Sequence, residues 1–193
     1  MDSKQAILEA ATQLIYERGE QLSTITVRDI CKRAGVGLGL INYHFGSKDA
    51  LMDQCVEKII NGIVASFGEI REKIDTMAPM EKLLFLGDMT FTFLFEHEAV
   101  SRISVLSDLT HPKLDDNTHR TFAAYLPLVA ACRPDWSEQK VKEKTFYLIT
   151  LMQQSFLRHR QIGIMLGVDF GDPAQRSAYH KKILEQLLEE DVQ

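Results

Sequence analysis

The stretch from Ser23 to Leu51, STITVRDICKRAGVGLGLINYHFGSKDAL, leaves little choice of fold. Thr26 stands three residues before Asp29, the spacing at which two side chains satisfy a helix's first free amides reciprocally. Val27, Ile30, Cys31 and Ala34 then recur at intervals of three and four, so they share one helical face. Gly35 supplies the left-handed residue that stops this helix, and Val36-Gly37 completes a tight turn. A second short helix follows, with Leu38, Ile41 and Phe45 on its apolar side, and Ser47 caps a third that begins at Lys48. Two short helices joined by a glycine turn of this length form a helix-turn-helix unit.

Lys48 is informative because it is misplaced. A cation in the first helical turn opposes the positive end of the helix dipole at a cost of roughly 0.3–1 kcal/mol. A long, solvated lysine screens most of that penalty away. A helix start joined to a cation also makes a phosphate site, and beside a helix-turn-helix this is the better reading.

The pattern Thr26, Val27, Asp29, Ile30, Ala34-Gly35-Val36, Gly39, Ile41, His44-Phe45, Ser47-Lys48 and Leu51 resembles the DNA-binding segment of the TetR family of transcriptional regulators. The likeness covers the first quarter of the chain closely and the rest only in architecture. It implies an all-α protein: an N-terminal three-helix bundle carrying the helix-turn-helix over residues 1–47, then a larger helical effector-binding and dimerisation domain over 48–193. It also implies that Leu38, Gly39, Leu40 and Tyr43 meet the major groove. Ile41 and Phe45 face inward, leaving those four and Asn42 exposed. A leucine packs on a thymine methyl but cannot hydrogen-bond a base edge, and one or both of Leu38 and Leu40 can instead cover the bundle's rim. Hydrogen-bonded readout then falls to Arg28, with help from Asn42 or Tyr43. His44 packs and donates to a phosphate, and Thr26 is a cap first and a phosphate donor second. Two positions depart from the family pattern. Gly37 replaces the usual capping serine, and Asn42 replaces a tyrosine whose phosphate role passes to Tyr43.

The formal net charge of −5 is the wrong sign for a nucleic-acid binder, but it is unevenly spread. From Arg28 to Lys48 the charged residues are Arg28, Lys32, Arg33 and Lys48 against Asp29 alone. A small basic head on an acidic body attracts phosphate on one face only. Cys31, Cys55 and Cys132 have neither metal nor redox spacing and read as reduced, buried thiols. Met1 to Tyr16 has no basic leader, and no stretch nears the roughly 20 apolar residues of a membrane helix. The expectation is a soluble cytoplasmic protein without membrane partners.

Ser3 to Arg18 reads as the bundle's third wall, with Ile7, Leu8, Ala11, Leu14 and Ile15 as its stripe and Gly19 as its end. The helix from Lys48 continues its pattern through Ile59, Ile63, Phe67, Ile70 and Ile74, and so links head to body. Leu83 to Phe95 is apolar nearly all round and reads as a central core helix. Its Phe85, Asp88, Met89 and Thr92 also suit an effector pocket, with Asp88 or a threonine as the polar handle. Phe122 and Tyr125 on Thr118–Cys132, a helix containing Pro127, and Met152 and Phe156 on the next helix join that set. Asp135-Trp136-Ser137-Glu138 offers the cap of the next helix, which runs to about Gln161, and a loop marked by Gly163, Gly167 and Gly171 leads to a last helix at Asp172-Pro173. The last two long helices resemble the pair through which the family dimerises, which points to Leu148, Met152, Phe156, Tyr179, Ile183 and Leu187. They can equally close the monomer's own core. His97, His111, His119 and His159 form no metal spacing, and no cofactor is expected.

The resemblance therefore implies a homodimeric repressor that binds a palindromic double-stranded DNA operator and is released by a small, largely apolar effector. An enzyme using the helical cavity is the weaker alternative, since no Ser/His/Asp, Cys/His or paired-carboxylate set has a recognisable spacing. The other alternative is a helix-turn-helix that contacts a protein through Leu38 and Leu40.

Overall fold

The structure, a computed structural model, describes residues 2–18, 21, 24–66, 74 and 76–189. Among them are ten α-helices and no strand: α1 (Ser3–Arg18), α2 (Val27–Ala34), α3 (Gly39–Phe45), α4 (Lys48–Ser66), α5 (Pro79–Glu96), α6 (Glu98–Thr110), α7 (Asn117–Cys132), α8 (Glu138–Leu157), α9 (His159–Leu166) and α10 (Pro173–Leu188). The chain is all-α, as its periodicity requires. None of these helices is long and apolar enough to cross a membrane. Gly19 and the continuation through Phe67 and Ile70 lie outside the described residues, as does the side chain of Ile63.

Two compact units form, one from residues 1–70 with 97–110 and the other from 71–96 with 111–193. In the first, α1 packs on α2, α3 and α4, and α4 also packs on α6. Its core joins Ile7, Ala11 and Leu14 of α1 to Ile30, Ile41, Leu51 and Cys55. Val100 of α6 enters the same core, a long-range contact that periodicity does not encode. Packing thus groups the helices differently from a division at residues 47 and 48.

In the second unit, α5 touches α7, α8 and α10, and α8 touches α7, α9 and α10. Asp172 caps α10 by accepting from the Ala174 amide at 2.9 Å, with Pro173 in the first turn, where its missing N–H costs nothing. Ser137 caps α8 by accepting from the Lys140 amide. That helix ends at Leu157 and not near Gln161. His159 Nδ1 donates to the Phe156 carbonyl at 2.9 Å, and α9 begins there. Residues 159–166, expected largely as loop, are helical, and Gly167 at φ 68 closes them.

Four of the residues expected at a dimer face are buried within their own protomer. Leu148, Met152, Phe156 and Ile183 are 1%, 2%, 0% and 7% exposed within their own protomer, while Tyr179 and Leu187 are half-buried. Tyr179 is joined to α8 by a 2.9 Å hydrogen bond between its hydroxyl and Ser155 Oγ. The cysteines are free, but Cys132 is only half-buried.

Gly87, inside α5, makes room for His180 of α10. A Cβ built on it would lie 1.7 Å from His180 Cε1 and 2.1 Å from Nε2. Glycine normally weakens a helix interior by roughly 0.8–1 kcal/mol relative to alanine. Here Gly87→Ala should instead destabilise by about 1–3 kcal/mol, because the imidazole is buried and overpacking outweighs helix propensity. Urea unfolding checks this: a higher midpoint for Gly87→Ala would show that the ring is free to swing away.

Candidate nucleic-acid interface

The cap of α2 forms in full. Asp29 N donates to Thr26 Oγ1 at 3.1 Å, and Thr26 N donates to Asp29 Oδ2 at 2.9 Å. The Thr26 hydroxyl also donates to Asp29 Oδ2 at 2.8 Å, so its one proton is engaged in the cap and not offered to a phosphate. These bonds to Thr26, with smaller help from Arg18 and Lys32, hold the Asp29 carboxyl below its ordinary range. Gly35 ends the helix at φ 67, and the Val36 amide returns to the Cys31 carbonyl at 3.0 Å. Thr26→Ala should cost about 0.5–2 kcal/mol, the usual range for a lost cap, measured by thermal unfolding.

The second helix starts one residue later than expected. Leu38, not Gly37, is its N-cap, with helical φ and ψ and no side-chain cap bond. The Leu40 amide donates to the Gly37 carbonyl at 3.1 Å and turns the chain into α3. A Cβ on Gly37 or Gly39 would meet nothing within 4 Å, so the protein's own packing does not demand glycine at either position. Ile41 and Phe45 are buried as expected. The two leucines part company: Leu40 packs against the first core, whereas Leu38 is 53% exposed. Asn42 is exposed, and Tyr43 stands 80% exposed. Ser47 caps α4, accepting from the Ala50 amide at 3.0 Å, and leaves Lys48 half-buried in the first turn.

His44 and Arg33 are both tied to α1. His44 Nε2 lies 2.7 Å from Ser3 Oγ, which ties α3 to the start of α1 and removes that nitrogen from phosphate contact. Arg33 pairs with Glu17 of α1 at 2.5 Å. This bond lowers the Glu17 pKa and raises that of Arg33. Among the described residues no carboxylate lies within ion-pair distance of Arg28, Lys32 or Lys48. Lys4 joins them from α1, its Nζ 5.8 Å from the Phe45 ring centre, at the end of α3. Sequence spacing gave no signal for Lys4, because 41 residues separate Ser3 from His44. Leu38, Gly39, Asn42 and Tyr43 are thus exposed at α3, and the same unit carries the cations Lys4, Arg28, Lys32 and Lys48.

The residues expected around an effector lie in the second unit. Phe85, Asp88, Met89, Thr92 and Phe122 are half-buried, and Tyr125 is sealed in the core. The Tyr125 hydroxyl lies 2.7 Å from Thr90 Oγ1 and 3.2 Å from the Leu86 carbonyl, and burial raises its pKa. An open cleft of about 510 Å³ lies elsewhere in this unit, lined by His159, Arg160, Ile164 and the segment Gly167–Gly171. No group of three or more metal-binding side chains occurs among the described residues.

Residues 7–55 match the family of bacterial regulatory proteins described as the tetR family. The chain is 32% identical over 93 residues to the HTH-type transcriptional repressor KstR2 of Mycobacterium tuberculosis, covering 48% of this chain and 44% of that protein. It is 31% identical over 85 residues to the HTH-type transcriptional regulator TtgR of Pseudomonas putida, covering 43% and 40%. The chain spans less than half the length of each of these relatives. A solved TetR transcriptional regulator from Rhodococcus sp. RHA1 superposes with a TM-score of 0.61 at 17% identity, covering 96% of this chain and 95% of that one. At that identity the likeness speaks to fold alone.

Proposed function

We propose, for a chain whose residues 7–55 match the tetR family of bacterial regulatory proteins, that the whole protein is a ligand-responsive transcriptional repressor and not an enzyme. The observation that carries this reading is the exposure of Leu38, Gly39, Asn42 and Tyr43 at α3, in a unit that also carries Lys4, Arg28, Lys32 and Lys48. Residues 1–47 act as the reading head. Tyr43, Asn42 and Leu38 meet base edges or sugar, and the cations meet phosphate. A second copy supplies the second head, since two heads about 34–36 Å apart meet successive major grooves of a palindromic operator. A small effector bound in the second unit releases DNA by preferring the non-binding conformer, because equal affinity for both would shift nothing.

The copy-to-copy face is best sought on α8, among the exposed apolar residues outside the buried stripe of Leu148 and Met152. Phe146, Tyr147 and Leu151 are 58%, 47% and 42% exposed there. Paired substitution Tyr147→Lys with Leu151→Glu should leave the fold intact, because both side chains are exposed, yet halve the sedimenting mass. Operator affinity should fall with it. Unchanged mass would place the interface elsewhere.

Selection from a random pool of duplex DNA, repeated at two salt concentrations, tests the main reading. Enrichment of a palindrome, weakening steeply with salt, is expected. No enrichment at either salt would favour the protein-contact alternative, which the exposure of Leu38 and Tyr43 also suits.

A further inference from the structure

Two of the four buried polar side-chain atoms without a hydrogen-bond partner among the described residues lie on one face of α10, one turn apart: Arg176 Nε and His180 Nε2. Arg176 is 6% exposed and His180 1%. Nη1 of Arg176 donates to the carbonyls of Phe170 at 2.8 Å and Gly171 at 3.1 Å, which fixes the plane of the guanidinium. Nε has no acceptor, and no carboxylate lies within ion-pair distance of the guanidinium among the described residues. Asp172, one turn back, is engaged with the Ala174 amide and Gln175. The Asp172 carboxyl does feel the Arg176 charge, but it makes no hydrogen bond to it, and a buried polar atom without a partner calls for a physical reason.

The surroundings are aromatic. The guanidinium lies 5.0 Å from the centre of Phe95, Phe91 lies 5.6 Å from His180, and the two phenylalanine rings are 6.0 Å apart. Phe170 stacks on Phe95 at 5.8 Å. Phe170 and Gly171, the two residues that hold Nη1, also line the open cleft of about 510 Å³.

We propose that the effector of this protein is a monocarboxylate with an aromatic or short aliphatic body, held by the Nε/Nη2 edge of Arg176 with His180 Nε2 as a further hydrogen-bonding group. The proposal rests on the reading of the second unit as effector-binding and names the ligand class. The geometry gives the reasons. A side-on guanidinium edge matches the two oxygens of one carboxylate and forms parallel charge-assisted bonds. A single buried cation suits a monoanion better than a phosphate, and the phenyl rings suit an apolar body. His180 rests against Gly87, so its position is fixed before any ligand arrives.

Binding of benzoate, phenylacetate and octanoate to the full chain, each against its primary amide, tests this by calorimetry and thermal shift. At least one acid should bind saturably and at least tenfold more tightly than its amide. That comparison needs no variant. Arg176→Lys should weaken acid binding about tenfold or more while leaving amide binding unchanged. If acids and amides bind alike, or if none of the three acids binds at roughly 10 mM, the proposal is overturned. Anisotropy of labelled DNA on the same protein, read before acid is added, separates the two readings. DNA binding without acid preference sinks this ligand class alone. Acid preference without DNA binding sinks the regulator reading and leaves the site standing.

Discussion

Between pH 6.5 and about 4 the protein is expected to lose up to about 3 kcal/mol of stability to one side chain, His180. Burial lowers its pKa from 6.5 to about 4, and nearby Asp88 pulls weakly the other way. The sign follows from the protonation states. In the folded chain the ring stays neutral down to about pH 4, while in the unfolded chain it binds a proton below 6.5, so acid favours the unfolded state across that window. The stability is fully present above 6.5 and falls as pH drops towards 4. Carboxylates whose pKa values are lowered in the fold also lose stability in acid, but in a lower window. Asp135, held at about 2 chiefly by its hydrogen bond to Arg133, gives up its share below its ordinary 3.8. Urea unfolding at a series of pH values therefore separates the two. His180→Gln should flatten the slope between 6.5 and 4 and keep the steeper loss below it. A slope that persists in His180→Gln would assign the acid loss to other groups.

The local chemistry of the head was legible because each signal acts at a fixed short spacing. Thr26 and Asp29 close a cap across three residues, Gly35 takes the left-handed conformation, and Ser47 caps its own helix. Facing was harder. Periodicity shows that α8 carries apolar stripes, but it carries two. Val141, Thr145, Leu148 and Met152 form one, and Phe146, Tyr147 and Leu151 lie off it. Nothing local says which stripe meets the protomer's own core, so residues expected at a partner face proved buried. Leu38 and Leu40 pose the same problem, and only the packing of Leu40 on the first core separates them. Arg33 counted as part of the basic head until the fold brought Glu17 beside it. The burial of Arg176 and His180 has no local signal, because the residues packed on them, Gly87, Phe91 and Phe95, lie about 80–95 residues earlier in the chain.

Arg28→Ala and Lys48→Ala should part ways on DNA. Arg28 is exposed on α2 with no ion pair among the described residues, and a bidentate contact to a guanine is worth about 1–3 kcal/mol of discrimination. Its loss should weaken the selected sequence by roughly 5- to 150-fold and relax preference at one position of each half-site. Lys48 sits at the start of α4, where a cation opposes the helix's own dipole. Replacing it with alanine should stabilise the free protein slightly, by about 0.3–1 kcal/mol at low salt. The same change should weaken binding to every sequence alike and reduce the salt slope by about 1 for each head. Stability gained with affinity lost is the pattern of a residue kept for its ligand and not for its fold. Thermal unfolding and salt-dependent anisotropy on a selected and a scrambled duplex measure all of these quantities. An unchanged salt slope in Lys48→Ala removes its phosphate role. Equal losses on both duplexes for Arg28→Ala remove its base-reading role and pass readout to Asn42 and Tyr43, the remaining exposed polar groups on α3.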